Sequence, residues 1–276
     1  MKTLSYSKVF FTLGLTCLPA LAGTVSVPVG KDNVAKQPIP SNWLDRTISP
    51  VTNPIFFEDA AIRSEIRPIY MHHTIDNDFI TKGGDVNIYA LQVRYAINER
   101  LAIIATKDGY IDMNPGAGSS QDGWADVALG LKYAIIDDRE NHFILTPGFT
   151  FEIPLGNKDV FQGNGSGEWN VFVSAEKGFG DFHLLSNVGL RVPNDTSDES
   201  TVFHYSLQAD YYACNYFIPF VALNGFTVVD SGNALPLSSE GFDLINFGSS
   251  KSGGVNQMAL GAVSYTHLTL PTICSV

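Results

Sequence analysis

Three residues, His204, Ser206 and Asn224, are of the types that form a hydrolytic site. Such a site needs a nucleophile, a base that takes its proton and a group that orients the base. His204 and Ser206 are two positions apart, so a strand of period two points both to the same side. The pattern of the neighbouring residues turns that side towards the interior of the fold, away from a lipid substrate. A lipid hydrolase is therefore only the third hypothesis for this chain.

Cofactor chemistry has little support in the sequence. It contains no His and Cys spacing typical of a metal site, no phosphate-binding Gly loop and no redox pair of cysteines. His72 and His73 are adjacent, so on a strand their rings point to opposite faces. We expect no cofactor, no metal ion and no enzymatic activity.

Charged side chains recur on one face of the strand-like segments. The acids are Glu65, Asp126, Glu152, Glu176 and Asp210, the bases are Arg63, Arg67, Arg94, Lys132 and Arg191, and His183 lies on the same face. The near balance favours a ladder of ion pairs that rigidifies the interior. A constriction that selects solutes by charge is the alternative.

Two close pairs are predicted from turn symmetry. If the turn at 137–140 is centred near Arg139, Asp126 lies opposite Glu152, and two facing carboxylates need a base such as Arg191 between them. The same arithmetic at the turn 178–181 puts Glu176 beside His183.

The strands are predicted from strict alternation, as in "WADVALGLKYAIIDDRENHFILTPGFTFEI" at 124–153. Ten strand-like segments follow one another at about 61–74, 85–97, 101–111, 124–136, 142–153, 168–177, 182–192, 201–212, 216–226 and 255–262. No segment sustains a helical period.

Short and long connections alternate between these strands, with "NER", "DDRE", "GFGD" and "ACN" as the short ones. That alternation is typical of an up-and-down outer-membrane barrel with short periplasmic turns and long outer loops. We predict an all-β antiparallel transmembrane barrel, with ten strands present and twelve when complete. Because the last strand is cut near Ala262, we expect an open or poorly paired seam between the first and tenth strands and an irregular tail after Val263. A soluble sandwich is the alternative.

The polar face decides which solvent the apolar face meets. In a soluble barrel the inward face is an apolar core, yet here the inward side holds about as many charges as it could pair. The apolar face is therefore predicted to meet lipid, and the side chains expected to point outward include Ile62, Ile66, Leu91, Val93, Leu129, Leu131, Val171 and Val173. Aromatic residues near both ends of the strands fit the two girdles of such a barrel.

Both ends of the chain differ from the middle. Residues 1–22 have two lysines, a short apolar run and Ala20-Leu21-Ala22, which indicates a cleaved signal peptide rather than a membrane anchor. Residues 23–59 are Pro-rich and unperiodic, and a periplasmic linker is favoured over a plug. The barrel is assigned to 60–262. "AVSYTHLTLPT" at 262–272 resembles a translated sequencing adapter, so 263–276 is excluded as an artefact.

The formal net charge of −11 excludes a nucleic-acid partner. Beyond the predicted signal and tail only Cys214 remains, so no internal disulfide is expected. The expected partners are outer-membrane lipid and small solutes.

Three segments carry a family resemblance: "GWADVALGLKYAIIDD", "LTPGFTFEIPLG" and "GEWNVFVSAEKGFGDFHLLSNVGLRVP". From about Gly123 to Asn224 the chain resembles the outer-membrane family labelled by the MetA pathway of phenol degradation. The resemblance implies a transporter-like barrel for small, aromatic or apolar compounds, and it gives no residue a chemical role.

The leading hypothesis is a porin-like channel in the outer membrane of a Gram-negative cell that passes small solutes passively. A closed or plugged barrel with a structural or adhesive role is the second hypothesis. Solute identity and oligomeric state are not fixed by the sequence.

Overall fold

The computed structural model describes residues 42–79, 81–214 and 217–265. The predicted signal peptide and residues 266–276 of the predicted artefact lie outside them. The strands are β1 (Glu65–Ile75), β2 (Gly84–Ala96), β3 (Leu101–Lys107), β4 (Tyr110–Pro115), β5 (Gln121–Trp124), β6 (Val127–Tyr133), β7 (Ile136–Asp138), β8 (Phe143–Ile153), β9 (Glu168–Phe179), β10 (Phe182–Pro193), β11 (Thr201–Tyr211), β12 (Ile218–Asp230) and β13 (Asn256–Tyr265). Short 3-10 turns span Trp43–Arg46 and Lys158–Val160. No helix in these ranges is long and apolar enough to cross a membrane.

All of these strands form one antiparallel sheet that follows chain order. β2 pairs with β4 near one end and with β3 near the other, so β3 and β4 are two halves of one interrupted strand. β5 and β6 likewise continue one another along the next position of the sheet. The result is the predicted up-and-down meander of ten long strands.

The sheet is rolled around residues 42–64, which we call the lumen loop. This loop touches β1 where Arg67 donates to the Pro50 carbonyl, and it touches β12 where Asn224 donates to Thr52. An added Cβ on Gly261 of β13 would lie 2.9 Å from Thr52 Cγ2. Because first and last strands contact one short loop, the sheet closes into a barrel shape.

A seam remains between the first and last strands. In the described ranges β1 pairs with β2 alone and β13 with β12 alone. An open seam between these strands was predicted, and this prediction is confirmed.

Apolar side chains point outward along the whole sheet. Those predicted to face out include Ile66, Leu91, Val93, Leu129, Leu131, Val171 and Val173, and each is at least 37% exposed. The charged and amide side chains of the opposite face are buried. Alternation with period two therefore sorts the side chains as the sequence predicted.

Two strand ends differ from prediction. β1 begins at Glu65 rather than near 61, and Ile62, predicted to face outward, packs beside a buried cluster that includes Trp43 and Ile144. β13 runs on through Tyr265, pairing with Ile218 by backbone bonds. The chain is therefore regular through Tyr265, whereas irregular backbone was predicted after Val263.

Candidate functional site in the lumen

The lumen loop enters and leaves the barrel at the end that carries the short turns. Trp43 stacks on His142 at this short-turn end, with ring centroids 5.4 Å apart, and Arg46 pairs with Asp181. The loop then runs inward to Phe56, and the chain returns to the short-turn end, where Ser64 accepts from the Ala96 amide. It is thus a re-entrant loop inside the barrel.

Two adjacent acids of the returning arm hold this loop to the wall. Glu58 binds Arg94 at 2.7 Å and Lys132 at 2.7 Å. Asp59 binds Lys132 at 2.9 Å and Arg63 at 2.6 Å. All except Arg63 are buried, so the charges compensate one another where water is largely excluded.

Backbone groups of the loop also form hydrogen bonds with side chains of the wall. Ala60 and Ala61 donate to Glu176, and the Ala60 carbonyl accepts from Thr146. On the other arm the Ile48 amide donates to Asp210, and Gln208 donates to the Ile48 carbonyl. Wall side chains therefore satisfy backbone N–H and C=O groups that in a strand would bond to a neighbouring strand.

Residues 23–59 were interpreted as a linker, with a plug as the alternative, and the structure describes them from Asn42 onward. That part lies inside the barrel. Its sequence has no period because its side chains meet polar wall groups on all sides rather than one flat surface. Residues 23–41 lie outside the described part.

Beyond the polar zone the lumen becomes apolar. Ile55 and Phe56 at the tip of the lumen loop pack with Phe226 of the wall and with Phe242 and Leu244. The last two belong to residues 231–255, which we call the cap loop. The cap loop is tied inward, since Arg191 donates to the Phe242 carbonyl at 2.6 Å.

Further bonds hold the cap loop across the long-loop end of the barrel. Glu240 accepts from Ser200 at 2.7 Å, and Asn246 donates to Glu168 at 3.0 Å. The lumen is therefore obstructed twice, by the lumen loop from one end and by the cap loop from the other.

The predicted pairing of Asp126 with Glu152 is wrong. Glu152 lies opposite Ala128 and binds Lys107 at 2.5 Å. Asp126 accepts from the Gly156 and Gly163 amides, so it anchors the loop that follows β8. The register differs because β7 extends the ladder through Asp138, into the predicted turn at 137–140, so the turn lies at 139–142.

The predicted contact between Glu176 and His183 is also wrong. A two-residue turn at Gly180–Asp181 sets His183 opposite Gly178 and Glu176 opposite Leu185. The His183 Nδ1 atom lies 2.6 Å from Asp210 Oδ1 on the neighbouring strand, and Glu176 serves the lumen loop.

The remaining predicted lumen residues are also paired. Arg191 binds Glu168 at 2.7 Å, not Asp126 or Glu152, and Arg67 binds Glu65 at 3.1 Å. The inward orientation of all these strand residues agrees with the prediction, while their role in selecting solutes stays a prediction. Sequence reasoning missed Glu58 and Asp59, which lie outside the alternating segments, and Glu168, which lies at the edge of one. It also missed Lys107, because a register shift after Ala105 breaks the alternation inside the segment 101–111.

Glu199, in the connection between β10 and β11, is a buried acid close to other acids. Burial, and then the negative charges of Glu168 and Glu152, raise the pKa of Glu199 to about 8. Arg191 and Lys107 offset only part of this. We therefore expect the stability of this connection to depend on pH.

The contacts of His204 and Ser206 in the lumen do not support the hydrolase hypothesis. His204 Nε2 lies 2.7 Å from Asn170 Oδ1, while Ser206 Oγ has no hydrogen-bond partner in the described part. Within the same ranges no three His, Cys, Asp or Glu side chains are placed to hold a metal ion.

No model of a known protein family matches the chain, and no curated protein matches it. Among solved structures it is similar to an anion-selective porin from Comamonas acidovorans, with 12% sequence identity and a TM-score of 0.35. The similarity covers 72% of this chain and 58% of the porin chain, so the chain spans less than two thirds of the porin's length. The resemblance to the MetA family stays a prediction.

Proposed function

We propose that this chain is an outer-membrane β-barrel that passes small solutes passively and that its lumen loop closes the passage in the state described. The support is the distribution of side chains: apolar residues cover the outside, and charged and amide residues line the inside. A soluble barrel has the reverse arrangement, because water must meet its outer face.

The character of the loop contacts favours a passage that can open. Along most of its length the lumen loop is held by ion pairs and hydrogen bonds to polar wall groups such as Ser174, Asn187 and Gln208. Water can replace such contacts at modest cost once the loop moves. The wall would then be a hydrated, polar channel lining.

One observation favours a permanently plugged barrel as the second candidate. Ile55 and Phe56 are buried against Phe226, Phe242 and Leu244. Withdrawing the tip of the loop exposes this apolar surface to water, which costs roughly 25 cal/mol for each Å². In a channel that opens, this free-energy cost is overcome when the loop moves. In a permanent plug the loop stays in place.

The test is single-channel conductance in planar bilayers of the native chain and of the double variant Glu58→Gln with Asp59→Asn. The variant removes both acids that hold the loop to Arg94 and Lys132. We expect rare openings in the native barrel and openings at least about tenfold more frequent in the variant, since each lost pair with a charged group weakens closure by about 1.5 kcal/mol or more.

The control is Asp137→Asn with Asp138→Asn, which makes the same charge change in β7, next to the short turn at 139–142. This control should conduct like the native chain. Silence of both the native and Glu58/Asp59 barrels, with the fold intact, supports the permanent plug. Frequent openings in the native chain show that the lumen loop does not close it.

A further inference from the structure

A groove lies on the outward face of the barrel where the sheet ladder is interrupted. β2 pairs with β4 as far as Tyr89 and with β3 from Val93 onward, so residues 90–92 are outside both ladders. The groove at this gap has a volume of about 720 Å³ and is lined by Pro68, Tyr89, Leu91, Trp124, Val127 and Leu155, with Asp108 beside the gap. That volume is in the range of small-molecule sites.

Asp108 is the unusual member of this lining. Its Oδ1 atom accepts from the Leu91 amide at 2.8 Å and so replaces a missing ladder carbonyl. Among the described residues, the Leu91 amide is the hydrogen-bond partner of the Asp108 side chain. A carboxylate on a lipid-facing wall is costly, and where it is retained it marks a functional site by default.

The wall behind the groove is thin. Ile69, Ala90 and Asp108 also line a cavity of about 20 Å³ on the lumen side, next to Ile55 and Leu244. A molecule in the groove would therefore lie one strand layer from the apolar zone of the lumen.

We propose that this groove binds a small membrane-dissolved molecule with an apolar, ring-containing body and one hydroxyl group, which donates to Asp108. The aromatic faces of Tyr89 and Trp124 suit a ring, and the carboxylate suits a single donor. A lipid acyl chain could fill the apolar part but offers Asp108 no donor. The proposal rests on the membrane location of the proposed function and is independent of conduction.

The experiment is equilibrium dialysis of naphthylmethanol and of its methyl ether against phosphatidylcholine nanodiscs, with empty discs subtracted. We expect saturable binding of one alcohol per barrel and about tenfold weaker binding of the ether, which lacks the donor. Asp108→Asn keeps an acceptor for Leu91 but loses the charge, so it should weaken alcohol binding about tenfold and leave ether binding unchanged.

A groove-filling variant, Leu91→Trp, should remove saturable binding of both probes. Its control is Leu207→Trp on β11, because Leu91 and Leu207 are each 48% exposed; it should bind like the native chain. Absence of a saturable component means that lipid chains alone occupy the groove and overturns the proposal. Equal affinity for alcohol and ether, or unchanged binding in Leu91→Trp, overturns it too. If the alcohol binds but the barrel never conducts, the proposed channel is contradicted and the groove proposal stands.

Discussion

At the scale of single residues, the lumen is organised by acids that hold loops rather than by acids that face one another. Glu58 and Asp59 hold the lumen loop, Asp126 binds the amides of Gly156 and Gly163, and Glu240 holds the cap loop. A carboxylate that accepts several backbone amides orders a segment which has no sheet partner. Buried acids here mark where loops enter the barrel.

Glu199 gives the residue-scale prediction. Its raised pKa means that the closed connection binds a proton more tightly than an open, solvated one, where the pKa is near the ordinary 4.5. The stabilisation is complete below about pH 4.5 and is lost as pH rises through about 8. Protease cleavage in 194–200, normalised to the unfolded chain, should therefore accelerate by up to about tenfold per pH unit as pH rises towards about 8 and should level off above it.

Glu199→Gln mimics the protonated side chain, so its cleavage rate should stay flat from pH 6 to pH 9. Glu140→Gln, at an exposed turn, is the matched control and should follow the native chain. An equal acceleration in native and Glu199→Gln proteins would show that another group controls this connection.

At the scale of strands, period-two alternation predicted the faces well and the registers poorly. The face of Asp126 and Glu152 depends only on parity, which survives a slip of two positions. Their pairing depends on the turn, where His142 adopts a positive φ of 53° and β7 extends the ladder. Nothing in the alternation itself reveals such a local conformation.

The break between β3 and β4 at Asp108-Gly109 was likewise not apparent from the alternation of side chains. The dipeptide is a turn signal, and the strand predicted at 101–111 ends two residues after it. Gly109 instead bends a strand that continues through Tyr110–Pro115, and its φ of 120° suits glycine. The lumen loop was missed because its partners come from the whole barrel and leave no local pattern.

Gly225 on β12 gives the strand-scale prediction. It lies opposite Tyr205, and an added Cβ would be 2.1 Å from the Tyr205 ring. Gly225→Ala should therefore displace the ring and lower the free energy of unfolding by about 1–3 kcal/mol. Urea unfolding in detergent micelles measures this.

The same substitution in a Tyr205→Val background should cost less than about 0.5 kcal/mol, because the ring that would clash is absent. An equal cost in both backgrounds would point to backbone strain instead of the ring.

At the scale of the whole molecule, the barrel is inverted relative to a soluble protein, and its own N-terminal segment fills it. The inversion was readable from the sequence because charges and apolar residues alternate over ten strands. Closure of the lumen was not, because it depends on which loops fold inward. Any solute that passes through the lumen requires movement of the loop that Glu58 and Asp59 hold.

The chain's three tryptophans test this arrangement most directly. Trp124 is 64% exposed and Trp169 41% exposed on the outer face, whereas Trp43 of the lumen loop is 5% exposed. The measurement is fluorescence quenching of three single-tryptophan variants, with the other two positions changed to Phe, in vesicles of brominated phospholipid. We expect strong quenching of Trp124 and Trp169 and almost none of Trp43. Quenching of Trp124 and Trp169 by aqueous iodide but not by the lipid would contradict the membrane barrel, and quenching of Trp43 as strong as that of Trp124 would contradict the re-entrant loop.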